Sequence, residues 1–111
     1  MAKLEARLHG SFPAILDTID DAVRNGSLTA SLEEESRFQG SSGRCVLRVY
    51  ERYSALGGNR VSLTVLLLEI PGGARLSAIA SGGSQAMFFK FNTFGEDAFL
   101  ETISEAVARF Q

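Results

Sequence analysis

The sequence predicts an α+β domain in the order β-α-β-β-β-β-β-α: a curved antiparallel sheet, built as a meander, with two helices packed on one face. Three observations carry this. Eleven glycines divide the 111 residues into segments of one element each, and glycine, which costs roughly 0.5–1 kcal/mol inside an element, reads there as punctuation. One segment near each end carries apolar residues at helical spacing. The segments between them alternate in polarity and are joined by short turns. The length is that of a single domain, residues 1–111, able to bury roughly 65% of its unfolded surface around one core.

The elements follow in order. Lys3-Leu4-Glu5-Ala6-Arg7-Leu8 alternates strictly, as a half-buried strand does. Ser11 is placed to cap a helix with Pro13 in its first turn, where a missing N–H is harmless. Phe12, Ile15, Leu16, Ile19 and Val23 form its apolar face, and Asn25-Gly26 its stop. Five strands are then expected near 28–38, 44–54, 60–70, 74–81 and 85–91. A C-terminal helix follows, with Thr93 and Glu96 at capping-box spacing and an apolar stripe of Phe99, Leu100, Ile103, Val107 and Phe110.

The turns set registers. A two-residue turn at Pro71-Gly72 places Leu67 opposite Leu76 and Val65 opposite Ala78, with Val61 on the same face. A second at Gly82-Gly83 places Ala78 opposite Met87 and Leu76 opposite Phe89. One inner face then collects Val61, Leu63, Val65, Leu67, Leu76, Ala78, Ala80, Met87, Phe89 and Phe91. Extension through Gly57-Gly58 adds Cys45, Leu47 and Val49, and beyond them Leu28, Ala30 and Leu32. The first strand, without a hairpin partner of its own, is expected antiparallel beside the last.

Composition excludes several function classes. One cysteine gives no internal disulfide and, with one histidine, no Cys/His zinc site. A net charge of −2 offers no basic excess for nucleic acid. No apolar run approaches the ~20 residues of a membrane span, and the N-terminus alternates where a signal peptide would be apolar. The expected location is the cytoplasm, with neither membrane nor nucleic acid as a partner.

The stretches Arg48-Val49-Tyr50-Glu51-Arg52-Tyr53-Ser54, Gly57-Gly58-Asn59-Arg60-Val61-Ser62-Leu63 and Ser81-Gly82-Gly83-Ser84-Gln85-Ala86-Met87-Phe88-Phe89-Lys90 resemble a small bacterial family of about this length without a characterised function. The resemblance covers nearly the whole chain and implies no catalytic residue. The element order also resembles a reduced START/Bet v 1 superfamily, whose members often hold apolar ligands between a curved sheet and a long C-terminal helix. One helix and one strand of that pattern are missing here.

No catalytic constellation assembles. Gly82-Gly83-Ser84-Gln85-Ala86 approximates a nucleophile elbow, but Met87 to Phe91 alternates like a strand and the only base would be His9. No glycine pair has phosphate-loop spacing. Asn25-Gly26-Ser27 reads as a helix terminus, and Cys45 as a small buried apolar residue. Arg44, Arg48 and Arg52 share a strand face, which reads as an outward charge ladder with Glu33, Glu35 and Arg37, or alternatively as an anion site. The expectation is a protein that is not an enzyme and carries no cofactor or metal.

Two functional readings remain. In the first, a small apolar or amphipathic ligand lies between sheet and C-terminal helix, touched by Met87, Phe89, Phe91, Phe99 and Ile103. Glu34, Glu51 and Tyr53 orient it from the rim. In the second, the protein is a homodimeric interaction module with a solid core. Leu66, Leu68, Ile79 and Phe88, with Val46 and Tyr50, alternate away from the core and form its interface.

Overall fold

Ser11 begins the first helix as its position in the sequence demands: its backbone is extended and its hydroxyl accepts the Ala14 N–H. In the computed structural model, which describes residues 1–53, 60–82 and 96–111, this helix follows the first strand directly. The elements are β1 (Ala2–His9), α1 (Phe12–Asn25), β2 (Ser31–Gln39), β3 (Arg44–Tyr53), β4 (Arg60–Ile70), β5 (Gly73–Gly82), a helical stretch at 96–101, and α2 (Ser104–Arg109). The strands form one open antiparallel sheet in the order β1-β5-β4-β3-β2.

The expected α+β class and meander are present. All five residues of the expected α1 stripe are buried, and Gly26 ends the helix with its N–H on the Ala22 carbonyl. Across the Pro71-Gly72 turn, Leu67 pairs with Leu76 and Val65 with Ala78, as the two-residue turn requires. Gly72 has φ +79, which suits the third position of a turn whose second residue is proline. β1 lies antiparallel along β5, with Leu4 opposite Ala78 and Ala6 opposite Leu76. Those are the places that a turn at Gly82-Gly83 would assign to Met87 and Phe89; the expected strand 85–91 and the Thr93 cap lie outside the described residues.

The helices cover one side of the sheet. Phe12, Ile15, Ile19 and Val23 of α1, with Phe99, Ile103 and Val107, pack on Leu8, Leu63, Val65, Leu67, Leu76 and Ala78 in a single core. The C-terminal helix bends between its two parts. There the Thr102 and Ile103 N–H groups bond to carbonyls three residues back, and the Thr102 hydroxyl also donates to the Phe99 carbonyl. Such back-bonding competes with regular helix hydrogen bonds. The chain end is tied down by the Phe110 carbonyl, which accepts the His9 N–H at 2.7 Å.

The face of β3 corrects the expectation. Val46 pairs with Leu67, Arg48 with Val65 and Tyr50 with Leu63, so the even-numbered residues face the helices. Val46 and Tyr50 are buried, not outward. Cys45, Leu47 and Val49 face the other way. The connection between β3 and β4 contains an even number of residues, 54–59, so odd positions on one strand meet even positions on the next. A shift of one residue exchanges the two faces entirely. β2 begins later than expected, after a turn at 27–30, and Leu28 is fully exposed. Leu32 and Ala30 pack against the core as expected.

Two neighbouring glycines are required for different reasons, and substitution separates them. A Cβ on Gly73 would overlap the Leu8 carbonyl oxygen where β1 meets β5, whereas a Cβ on Gly72 meets nothing and is opposed only by its φ. Gly73→Ala is expected to lower unfolding free energy by about 3 kcal/mol or more through overpacking. Gly72→Ala should cost only about 1–2 kcal/mol. Urea denaturation of the two variants checks the order.

Candidate interaction face and the polar network behind it

Arg48 lies on the covered side of the sheet with 9% of its surface exposed, and a guanidinium there requires partners. β2 and α1 supply them. The Arg48 Nε donates to Glu35 Oε2 at 2.6 Å, and Nη1 lies 3.6 Å from Asp20 Oδ1. The Tyr50 hydroxyl donates to the same Asp20 oxygen at 2.7 Å. Arg37 closes on Glu35 at 3.0 Å, and Arg24, one turn along α1, closes on Asp20 at 3.0 Å. The Arg37 and Arg48 guanidiniums hold the Glu35 carboxyl below its ordinary pKa. Burial, then the bond to Asp20, pushes the Tyr50 phenol up to about 12. The Glu35 carboxylate and the neutral Tyr50 phenol are thus favoured at neutral pH, and the group joins three elements.

The other two arginines of the row are also engaged. Arg44 donates from its backbone N–H and Nε to Glu69 Oε1, at 3.0 and 2.9 Å, and from Nη2 to Oε2 at 2.8 Å. This holds the Glu69 carboxyl at about 2. The Arg44 guanidinium also lies 4.9 Å from the centre of the Phe12 ring, and that of Arg52 lies 4.5 Å from the centre of Phe99. The three arginines face the helices, and of the expected ladder only the Arg48–Glu35–Arg37 part is present: Arg44 pairs with Glu69 of β4, and Arg52 lies against the Phe99 ring.

The opposite face of the sheet has a different character. In its central rows, Ile79, Thr64 and Val49 lie side by side, then Ser77, Leu66 and Leu47, then Arg75, Leu68 and Cys45. Leu66, Leu68 and Ile79 are exposed at 38%, 43% and 36%, as expected from the sequence. Phe38, opposite Cys45, is exposed at 64% and extends the patch to β2. No described element packs over this face. Phe88, the fourth expected interface residue, lies outside the described residues.

The described residues among those expected to hold a ligand lie on opposite sides of the sheet. Phe99 and Ile103 are completely buried beneath the helices. Glu34 pairs with outward Val49, and Glu51 pairs with Ser62; both, with Tyr53, therefore belong to the outer face. Glu51 forms an ion pair with Arg60, and the Arg60 guanidinium lies over the Tyr53 ring. Met87, Phe89 and Phe91 lie outside the described residues. An open cleft of about 400 Å³ lies between α1 and the C-terminal helix, lined by polar groups that include Asp21, Asn25, Glu105 and Arg109. Among the described residues no three His, Cys, Asp or Glu side chains converge as metal ligands would. Cys45, Leu47, Val49 and Phe38 were not expected in the outer patch; the even spacing of the β3–β4 connection is the signal that identifies the first three.

The Tyr50–Asp20 bond has a pH signature. The folded value of about 12 lies above the ordinary 10.0, so its contribution is complete below pH 10 and is lost as pH rises through 12. Alkaline titration of phenolate absorbance should show a late phase that Tyr50→Phe abolishes. The same variant should lose roughly 1–2 kcal/mol at neutral pH, measured by denaturation, as Asp20 loses a donor.

No curated protein and no solved structure matches the chain. Among the described residues, no helix is long and apolar enough to cross a membrane. The match of a family model to residues 1–111, the whole length over which the sheet and its helices are built, shows that the chain belongs to the family of unknown function DUF6054.

Proposed function

We propose that this domain is a cytoplasmic, homodimeric protein-interaction module whose docking surface is the outer face of its sheet. One observation carries the reading: Cys45, Leu47, Val49, Leu66, Leu68 and Ile79 form a contiguous apolar area on a face that no described element covers. An antiparallel sheet with one face in water ordinarily alternates cleanly to polar residues on that side. Here Arg44, Arg48 and Arg52 are instead on the covered side of β3, and Cys45, Leu47 and Val49 face outward.

The extent of the face is sufficient. Five strands at ~4.8 Å spacing and about seven residues at ~3.4 Å rise give on the order of 550 Å² per copy. Two such faces bury about 1,100 Å², just above the roughly 1,000 Å² that a biological interface needs. The alternative, a ligand between sheet and C-terminal helix as the START/Bet v 1 resemblance implies, has less support. The polar groups assigned to orient that ligand lie across the sheet from Phe99 and Ile103.

Light scattering tests the proposal. Wild type should have twice the monomer mass, and Leu68→Glu should be a monomer with unchanged circular dichroism, because its side chain is already exposed. A wild-type monomer at micromolar concentration overturns the reading.

A further inference from the structure

The rim of the outer face carries charges of opposite sign on opposite edges. Lys3 and Arg7 of β1, with Arg75 of β5 beside them, make one edge basic despite Glu5. Glu34 of β2 makes the other acidic. Among the described residues none of these five side chains has an ion-pair partner, whereas Arg37, Arg44, Arg48 and Arg60 of the same sheet each have one. Lys3, Ile79, Thr64, Val49 and Glu34 lie in one row across all five strands, with the unpaired ammonium and carboxylate at its two ends.

From this we infer that the occupant of the outer face is a second copy of the chain, related by a two-fold axis parallel to the strands. The inference rests on the homodimer reading and specifies its geometry. A two-fold axis that brings identical faces together and keeps the sheets aligned runs either along the strands or across them. Along the strands, β1 of each copy lies over β2 of the other, and each Lys3 comes to the partner's Glu34 in the same row. β4 then lies on β4, so that Leu66 and Leu68 pack on their own counterparts at the centre, and Ile79 meets Val49. Arg7 meets Phe38, a basic group against an exposed ring. Across the strands, β1 would lie over β1, with Lys3 against Arg7 and Glu5 against Glu5. Like charges in direct opposition disfavour that arrangement.

Complementary charge reversals test the geometry. Lys3→Glu alone sets Glu against Glu34 twice in each dimer, and Glu34→Lys alone sets Lys against Lys3 twice. Each variant should dimerise with a dissociation constant roughly tenfold higher or more. Mixed together, they restore an opposite pair at both contacts, so native mass spectrometry of the mixture, with one variant labelled with nitrogen-15 to separate the masses, should show the heterodimer well above the half share that random pairing gives. Circular dichroism of each variant confirms that the exposed substitutions leave the fold intact. If wild type is dimeric but Lys3→Glu dimerises as well or better, or the mixture gives no more heterodimer than the half share of random pairing, the axis is overturned while the homodimer reading stands. A monomeric wild type overturns both.

Discussion

The register of β3 on β4 is the constraint from which the rest of the molecule follows. Side chains alternate along a strand, so the pairing sends either Val46, Arg48 and Tyr50 or Cys45, Leu47 and Val49 towards the helices. The pairing of Arg48 with Val65 selects the first set. A guanidinium is then placed where water is scarce, and its charge is tolerable there only with carboxylates at hand. This requirement reaches the neighbouring elements. On β2, the unbroken pairing from Gln39–Arg44 to Glu34–Val49 brings Glu35 opposite Arg48, and the irregularity beyond it sets Leu32 on the covered side opposite Tyr50. On α1, Asp20 lies at the edge of the apolar stripe, within reach of both Arg48 and Tyr50. The same choice releases three apolar residues to the outside.

Parts of the fold were legible because short-range geometry left one solution. The α1 stripe follows from a single 3.6-residue period, and both ends are marked by residues with a physical reason to be there. Ser11 accepts an N–H, and Gly26 leaves room where a Cβ would press on Thr102 at 2.9 Å. The β4–β5 pairing follows from the two residues of its turn, which allow no slack. β3 was different, since both of its faces are substantially apolar. Hydrophobic pattern favours the set of Cys45, Leu47 and Val49 over one interrupted by arginine, and that pattern is misleading here. Counting answers what polarity does not, because an even connection pairs odd with even residues whether two or six residues long. Of the candidate site, Leu66, Leu68 and Ile79 could be read from β4 and β5 alone. The network around Arg48 could not, because its partners come from three elements whose relative placement depends on that register.

The C-terminal bend shows a second limit of periodicity. Phe99, Ile103 and Val107 continue one apolar stripe through it, and all three are buried. Spacing therefore describes which side faces the sheet but does not reveal the break. The break comes from Thr102, whose hydroxyl takes the Phe99 carbonyl, and Ser104, whose hydroxyl approaches the Glu101 carbonyl at 3.3 Å. Similarly, Ser27 and Thr29 form a local hydroxyl pair before β2, and such bonds offer the backbone an alternative to extending the strand through Leu28.

The edges of the sheet bear on how it can meet a partner. An open sheet presents unpaired backbone groups on its two outer strands, and those usually carry charge or irregularity that discourages further pairing. Both devices occur here. β1 turns Lys3, Glu5 and Arg7 outward in alternation, and β2 carries Glu33, Glu34 and Arg37 around its irregular pairing. Lateral growth by strand addition is therefore opposed at both ends. The outer face has no such protection at its centre, where Leu66 and Leu47 lie side by side with leucine, valine or cysteine in the adjoining rows. In the proposed face-to-face dimer these two features divide the work: the central leucines would supply the buried area, and the rim charges would select the orientation.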